Sequence, residues 1–243
     1  MHPTASGFVQ GAMLLIVLGV VALFVTGEAY AARRLGRSVT TAVALALGGS
    51  LLWMALTGGL AISGVLARFE LRPPPIVFLF LGTLALGVVL GVSRIGGRIA
   101  ECLPLHVLVL AQGFRLPLEL IMHAAASEGT MPSVMSYGGY NFDIVTGASA
   151  LLVGALLSRG APRTLAFAWN ALGAVLLLVI LGVALLSSPL VRAFGDDQVN
   201  TWIAYVPFVW LPSILVACAI AGHIVVWRRL LIELPVRHAA RAS

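Results

Sequence analysis

Residues 99–127 read IAECLPLHVLVLAQGFRLPLELIMHAAAS, and the reading of this stretch decides the fold. A membrane-crossing helix needs about 20 largely apolar residues, and this run supplies them. Yet it carries Gln112, Arg115, Glu119 and His123. Their spacings of three, four and four put them within roughly an 80° arc, so one helical face holds all four. An ionisable group at membrane depth costs about 2.5–3.5 kcal/mol on insertion scales. The stripe must therefore face protein or a water-filled pocket rather than lipid. Pro117 lies within it and cannot donate to the carbonyl of Gly113, so the helix is expected to bend there.

The rest of the chain agrees with a membrane setting. It has 243 residues, is 60% hydrophobic and 10% charged, and its mean hydropathy is +1.04. That composition belongs to integral membrane proteins. No polar segment is long enough for a separate soluble domain, so one domain over residues 1–243 is expected. The net charge of +6 does not signal nucleic acid. All fifteen basic residues are Arg, and most sit in short loops between apolar runs, which is the distribution of a topology signal. The absence of Lys excludes Schiff-base chemistry of the retinal type. Cys102 and Cys218 have no metal-type spacing and read as small apolar residues.

Seven apolar runs are expected to span: 8–30, 39–67, 76–93, 99–127, 143–158, 165–187 and 201–226. The first is not preceded by the basic start of a signal peptide, because Arg33, Arg34 and Arg37 follow it. Gly48, Gly49, Gly58, Gly59 and Gly64 suggest a central second helix, and Gly87 with Gly91 suggests close packing of the third. Glu28, at the inner edge of the first run, would reach water or a loop Arg. Pro207 and Pro212 are expected to kink the seventh run. One set of loops receives Arg33, Arg34, Arg37, Arg94, Arg98, Arg159, Arg163, Arg228, Arg229, Arg237 and Arg241; the other receives Arg68, Arg72 and Arg192. The fold expected is thus an all-α integral membrane bundle of seven transmembrane helices, N-terminus outside and C-terminus cytoplasmic.

The fourth run begins on the Arg-rich side. At 1.5 Å per residue, Arg115 lies about 24 Å along it, Glu119 about 30 Å and His123 about 36 Å. The fifth run starts at that same outer level with Asn141 and Asp143, either of which suits a helix N-cap. Arg115 and Glu119 have the spacing of a direct pair along a helix, as do Glu119 and His123. Two readings stay open. In one, the group is a structural network that cancels buried charge. In the other it is a ligand site: Gln112, Arg115 and Asn141 bind, with Tyr205 and Trp210 as wall, while Glu119, His123 or Asp143 moves protons. His106 and His223 sit in the inner half without the spacing of a haem or zinc site, so no metal and no cofactor is expected.

The segments FRLPLELIMH (114–123) and MSYGGYNFDI (135–144) resemble a pattern of uncharacterised bacterial multi-pass membrane proteins, with weaker echoes in WNALG and FVWLP. The resemblance implies the bacterial inner membrane and carries no activity. The function expected is an outward-opening intramembrane polar pocket, acting by acid–base chemistry on a lipid-like or isoprenoid substrate. The alternatives are a small-amphiphile binding or transport protein, with a lipid-like or anionic ligand, and a structural subunit with a membrane-protein partner. Membrane lipids are the surroundings in each case.

Overall fold

A computed structural model describes residues 5–232. Arg237 and Arg241 of the Arg count lie outside the described residues. Among the described residues there are helices and no strands. Among them, six helical stretches are long and apolar enough to cross a membrane: 7–34, 39–62, 75–92, 163–186 and the composite 105–127 and 211–232.

Helix α1 (Gly7–Arg34) starts at Ser6, whose hydroxyl accepts from the Val9 amide, and runs four residues past the apolar segment to end on Arg33 and Arg34. Helix α2 (Val39–Ile62) is capped the same way by Ser38 and stops before Gly64, which takes the left-handed φ of +73°. Helix α3 (Pro75–Val92) opens with proline in its first turn, where no N–H is needed. Its Gly87 and Gly91 press on the last helix: a Cβ at Gly91 would sit 2.7 Å from Ile224 Cβ. The close packing read from that pair is therefore present.

The expected central place of α2 is not. Only 11% of its most apolar window is buried, and Gly48, Gly49 and Gly59 face open space. Gly58 alone of these meets a neighbour, the indole of Trp210. A glycine-rich face records that close approach is permitted, not that a partner helix has come.

The stretch 99–127 is not one helix. Helix α4 (Arg94–Cys102) ends at Leu103, which is extended because Pro104 follows. Its small residues Gly96, Gly97 and Ala100 are buried, and it packs on α1, α3 and the last helix. Helix α5 (Leu105–Ala111) then rises, a 3-10 turn covers Gln112–Phe114, and α6 (Arg115–Ser127) continues. The tighter turn sits where Pro117 leaves the Gly113 carbonyl without its helical donor.

Residues 128–142 form an ordered loop. Tyr140 and Asn141 donate their amides back to Val134 and Ser136, and Met131, Met135 and Asn141 are buried. Helix α7 (Asp143–Ser158) is a shorter apolar helix packed on α5, α6 and the following helix α8 (Arg163–Leu186). The final run is irregular until Leu211. Leu211–Val216 is π-wound, and α9 (Ala217–Ile232) follows. Pro212 lacks the N–H for an ordinary helical bond, which accounts for the widened turn.

Two ends are distinct. At one, Arg98 bonds Glu28, Arg228 reaches the α3 terminus, and Arg229 reaches the carbonyls of Ala100 and Glu101. At the other, Glu128 holds Ser6, Gln198 holds the 133–134 turn, and Tyr140 stacks on Phe194. Arg98, Arg228 and Arg229 of the larger Arg set thus gather at one end. The outer surface is leucine-rich: Leu15, Leu45 and Leu52 are each more than 70% exposed, as expected of a lipid-facing wall.

Candidate functional site

The polar group at the junction of α6 and α7 forms because two backbones come close. A Cβ on Gly147 would collide with the backbone nitrogen of Leu116 and lie 2.8 Å from the carbonyl carbon of Arg115. One turn before Gly147 is Asp143, so the close approach sets its carboxylate against the guanidinium. Arg115 Nη1 donates to Asp143 Oδ1 at 2.9 Å, with Arg115 1% exposed and Asp143 6%. The pair forms across two helices, not along one: Glu119 accepts instead from Asn141 Nδ2 at 2.7 Å. Asn141 is fully buried, and it also donates to the Met135 carbonyl and accepts from the Asp143 amide. It thus ties the loop to α6 and starts α7. Phe142 is the formal cap, and Asn141 does the capping from one residue earlier.

Arg115 is not satisfied by this network. Its Nε and Nη2 are buried and have no protein partner. An unpaired buried donor on a charged group carries the full cost of its lost water. Arg115, Glu119, Asn141 and Asp143 line one end of a cavity of about 140 Å³. The remaining walls are mostly apolar side chains of α3, α6, α8 and the π-wound turn before α9, with Ser188 and Asn200 also in the lining. α3 packs on α9, and α8 packs on α7 and α9, which leaves the cavity between α3 and α8. Its size resembles an apolar cavity of about 150 Å³ that takes one benzene ring, so it fits a head group or the first units of a chain.

Four of the eight residues singled out from sequence meet here: Arg115, Glu119, Asn141 and Asp143. Gln112 lies one turn below, buried against Gly222, with Oε1 unpartnered; it lines a separate cavity of about 130 Å³. His123 turns away, stacking on Tyr137 with centroids 4.2 Å apart and meeting Ser136 Oγ at 3.5 Å. Trp210 donates to the Met54 carbonyl and packs on α2. Tyr205 is half-buried and does not line the cavity.

Sequence reasoning missed a second buried pair. Asn170 Nδ2 donates to the His223 carbonyl, and Asn170 Oδ1 lies 2.7 Å from His223 Nδ1. Both residues are buried and Nε2 of the imidazole is unpartnered. The signal for it was Gly173, three residues after Asn170, where a Cβ would meet the imidazole at 2.7 Å. That signal has no meaning until the two helices are known to touch.

No protein-family model matches the chain, and no curated protein or solved structure matches it either.

Proposed function

We propose that this protein is a seven-span membrane protein, with α7 as the short seventh span, that holds the polar head of a lipid-like ligand against Arg115. The Arg-rich loops would be cytoplasmic and the cavity would open toward the outer side of a bacterial inner membrane. The observation that carries the reading is the Arg115 guanidinium, with two donor nitrogens unpartnered beside a mostly apolar cavity.

Charge selects the ligand class. Asp143 already balances Arg115, and Glu119 adds a second carboxyl group. An anionic head would set three acidic groups around one cation in a low-dielectric wall. A neutral hydroxyl avoids this, because it accepts from Arg115 and donates to Glu119. An isoprenoid or other long-chain alcohol fits both the apolar walls and the polar end.

A second reading adds chemistry. Asn141 fixes one oxygen of Glu119. A carboxyl group so held beside a bound hydroxyl is placed to take or return its proton as a general acid–base. Glu119→Gln would then keep binding and lose turnover.

The experiment is to purify the protein, extract what accompanies it, and identify the molecule. The reading expects a neutral hydroxylated lipid at near-unit ratio, lost from the folded Arg115→Leu/Asp143→Leu double variant. An anionic lipid held equally by both forms would contradict it. For topology, a reporter active only in the cytoplasm should give signal when fused to Ser243 and none when placed before Phe8.

A further inference from the structure

A second cleft lies between α2 and α3, reaching from the 213–218 segment to Glu28 and Arg98 at the Arg-rich end, and at about 450 Å³ it is larger than the cavity at Arg115. α2 packs on α1 and α3 packs on α9, so the two helices leave the space between them open along their lengths. The walls are apolar. Leu45, Leu52 and Leu56 of α2 line the cleft and are 71%, 72% and 52% exposed. α2 contributes from Ala42 to Leu56, about 21 Å of groove at 1.5 Å per residue, a length that suits an extended acyl chain.

The Arg-rich end of this cleft is built, not bare. Glu28 is 4% exposed and lines it. Its Oε2 accepts from Arg98 Nη2 at 2.8 Å, while its Oε1 is buried with no partner. Arg98 also lines the cleft and keeps its side chain 24% exposed, so donors remain for a second acceptor. A carboxylate oxygen awaiting a donor thus stands beside a guanidinium that can take an acceptor, at the mouth of a chain-length apolar groove. Trp53 lines the same cleft and donates its indole N–H to the Ser213 carbonyl, which holds the ring in place.

We propose that this cleft is a specific site for a bilayer phospholipid whose head carries a primary ammonium. The ammonium meets Glu28, the phosphate meets Arg98, and one acyl chain lies along α2 toward Trp53. A trimethylated ammonium has no N–H to give Glu28. A glycerol head brings the phosphate without the cation. The site requires a membrane setting and is independent of what binds at Arg115.

The test titrates detergent-solubilised protein with phosphatidylethanolamine brominated in its acyl chains. Bromine quenches nearby indoles. The chain has five Trp, so the Trp53 signal is the difference between the natural protein and Trp53→Phe. Phosphatidylethanolamine should quench Trp53 at about one-tenth the concentration needed with phosphatidylcholine or phosphatidylglycerol of the same chains, the factor a single charge-assisted hydrogen bond supplies. Glu28→Gln should erase that preference. Gly49→Leu should abolish quenching by all three lipids, because Gly49 lines the cleft and has open space where the side chain would go, so the variant folds without a clash. Equal quenching by the three lipids in the natural protein, or quenching unchanged in Gly49→Leu, overturns the proposal.

Discussion

Arg115 and Arg228 both lie against helix backbone, but their donors meet different fates. Arg228 Nη1 donates to the carbonyls of Gly91 and Ser93 at 2.7 and 2.8 Å, and its Nη2 lies over Gly97. It sits where α3 ends, a place that favours a cation; the Ser93 carbonyl it meets also accepts the Gly97 amide of α4. Arg115 sits where a helix begins. It has one carboxylate partner and two donor nitrogens without any. An arginine at a helix terminus is explained by the terminus. An arginine in the interior with donors left over points to something the protein itself does not supply.

The largest effect that sharpens this contrast is Arg115→Leu. It leaves Asp143 buried without its cation and should destabilise the fold by about 3–5 kcal/mol. Arg115→Leu with Asp143→Leu should recover most of that, since an apolar pair often serves as well as a buried ion pair. Unfolding in detergent measures both. A double variant no more stable than the single would show that the pair is not the unit.

Next in size is the approach that brings the pair together. Gly147→Val drives a side chain into the α6 backbone and should cost about 1–3 kcal/mol, as overpacking typically does. Gly59→Ala, which faces open space on α2, should leave the unfolding transition where it is. Similar losses at both positions would mean that glycine matters here for reasons other than contact.

Arg228→Ala removes two bonds to half-buried carbonyls that water can partly replace, so about 1 kcal/mol is expected in the same assay. A loss as large as that of Arg115→Leu would erase the distinction between the two arginines.

The smallest effect lies at the exposed Arg-poor end. The Glu128 carboxylate accepts from the Ser6 hydroxyl and amide, and these bonds hold it below its usual 4.5. A depressed value means that the tie is complete above about pH 4.5 and is lost as pH falls through the folded value. Hydrogen exchange at the Ser6 amide, corrected for intrinsic rate, should lose protection only below that point. Protection that stays flat with pH would show that the carboxylate does not hold the helix start.

The contrast between the two arginines was half legible in the sequence. Arg115 was conspicuous because an apolar run makes any charge stand out, and Glu28 was expected to reach water or a loop Arg; it meets Arg98, which lies on α4 rather than in a loop. The partner of Arg115 was not readable. Spacing of four suggested Glu119, yet the pair forms with Asp143 because Gly147 lets α7 touch α6, and no local pattern states which helices touch. The same limit hid the Asn170–His223 pair and made α2 look central. The break at Pro104 was readable in principle, but a long apolar average across 99–127 concealed it.

The central claim is that Arg115 completes its bonding on a neutral hydroxyl ligand. The direct measurement is the unfolding temperature of the detergent-solubilised protein titrated with farnesol, farnesoic acid and farnesene. Binding at a hundred times the dissociation constant stabilises by about 2.7 kcal/mol, enough to be read as a shift. The account predicts that farnesol raises the unfolding temperature of the natural protein more than the acid or the hydrocarbon, and that Arg115→Leu/Asp143→Leu shows no such preference. Equal shifts from all three in the natural protein, or a farnesol preference that survives in the double variant, would contradict it.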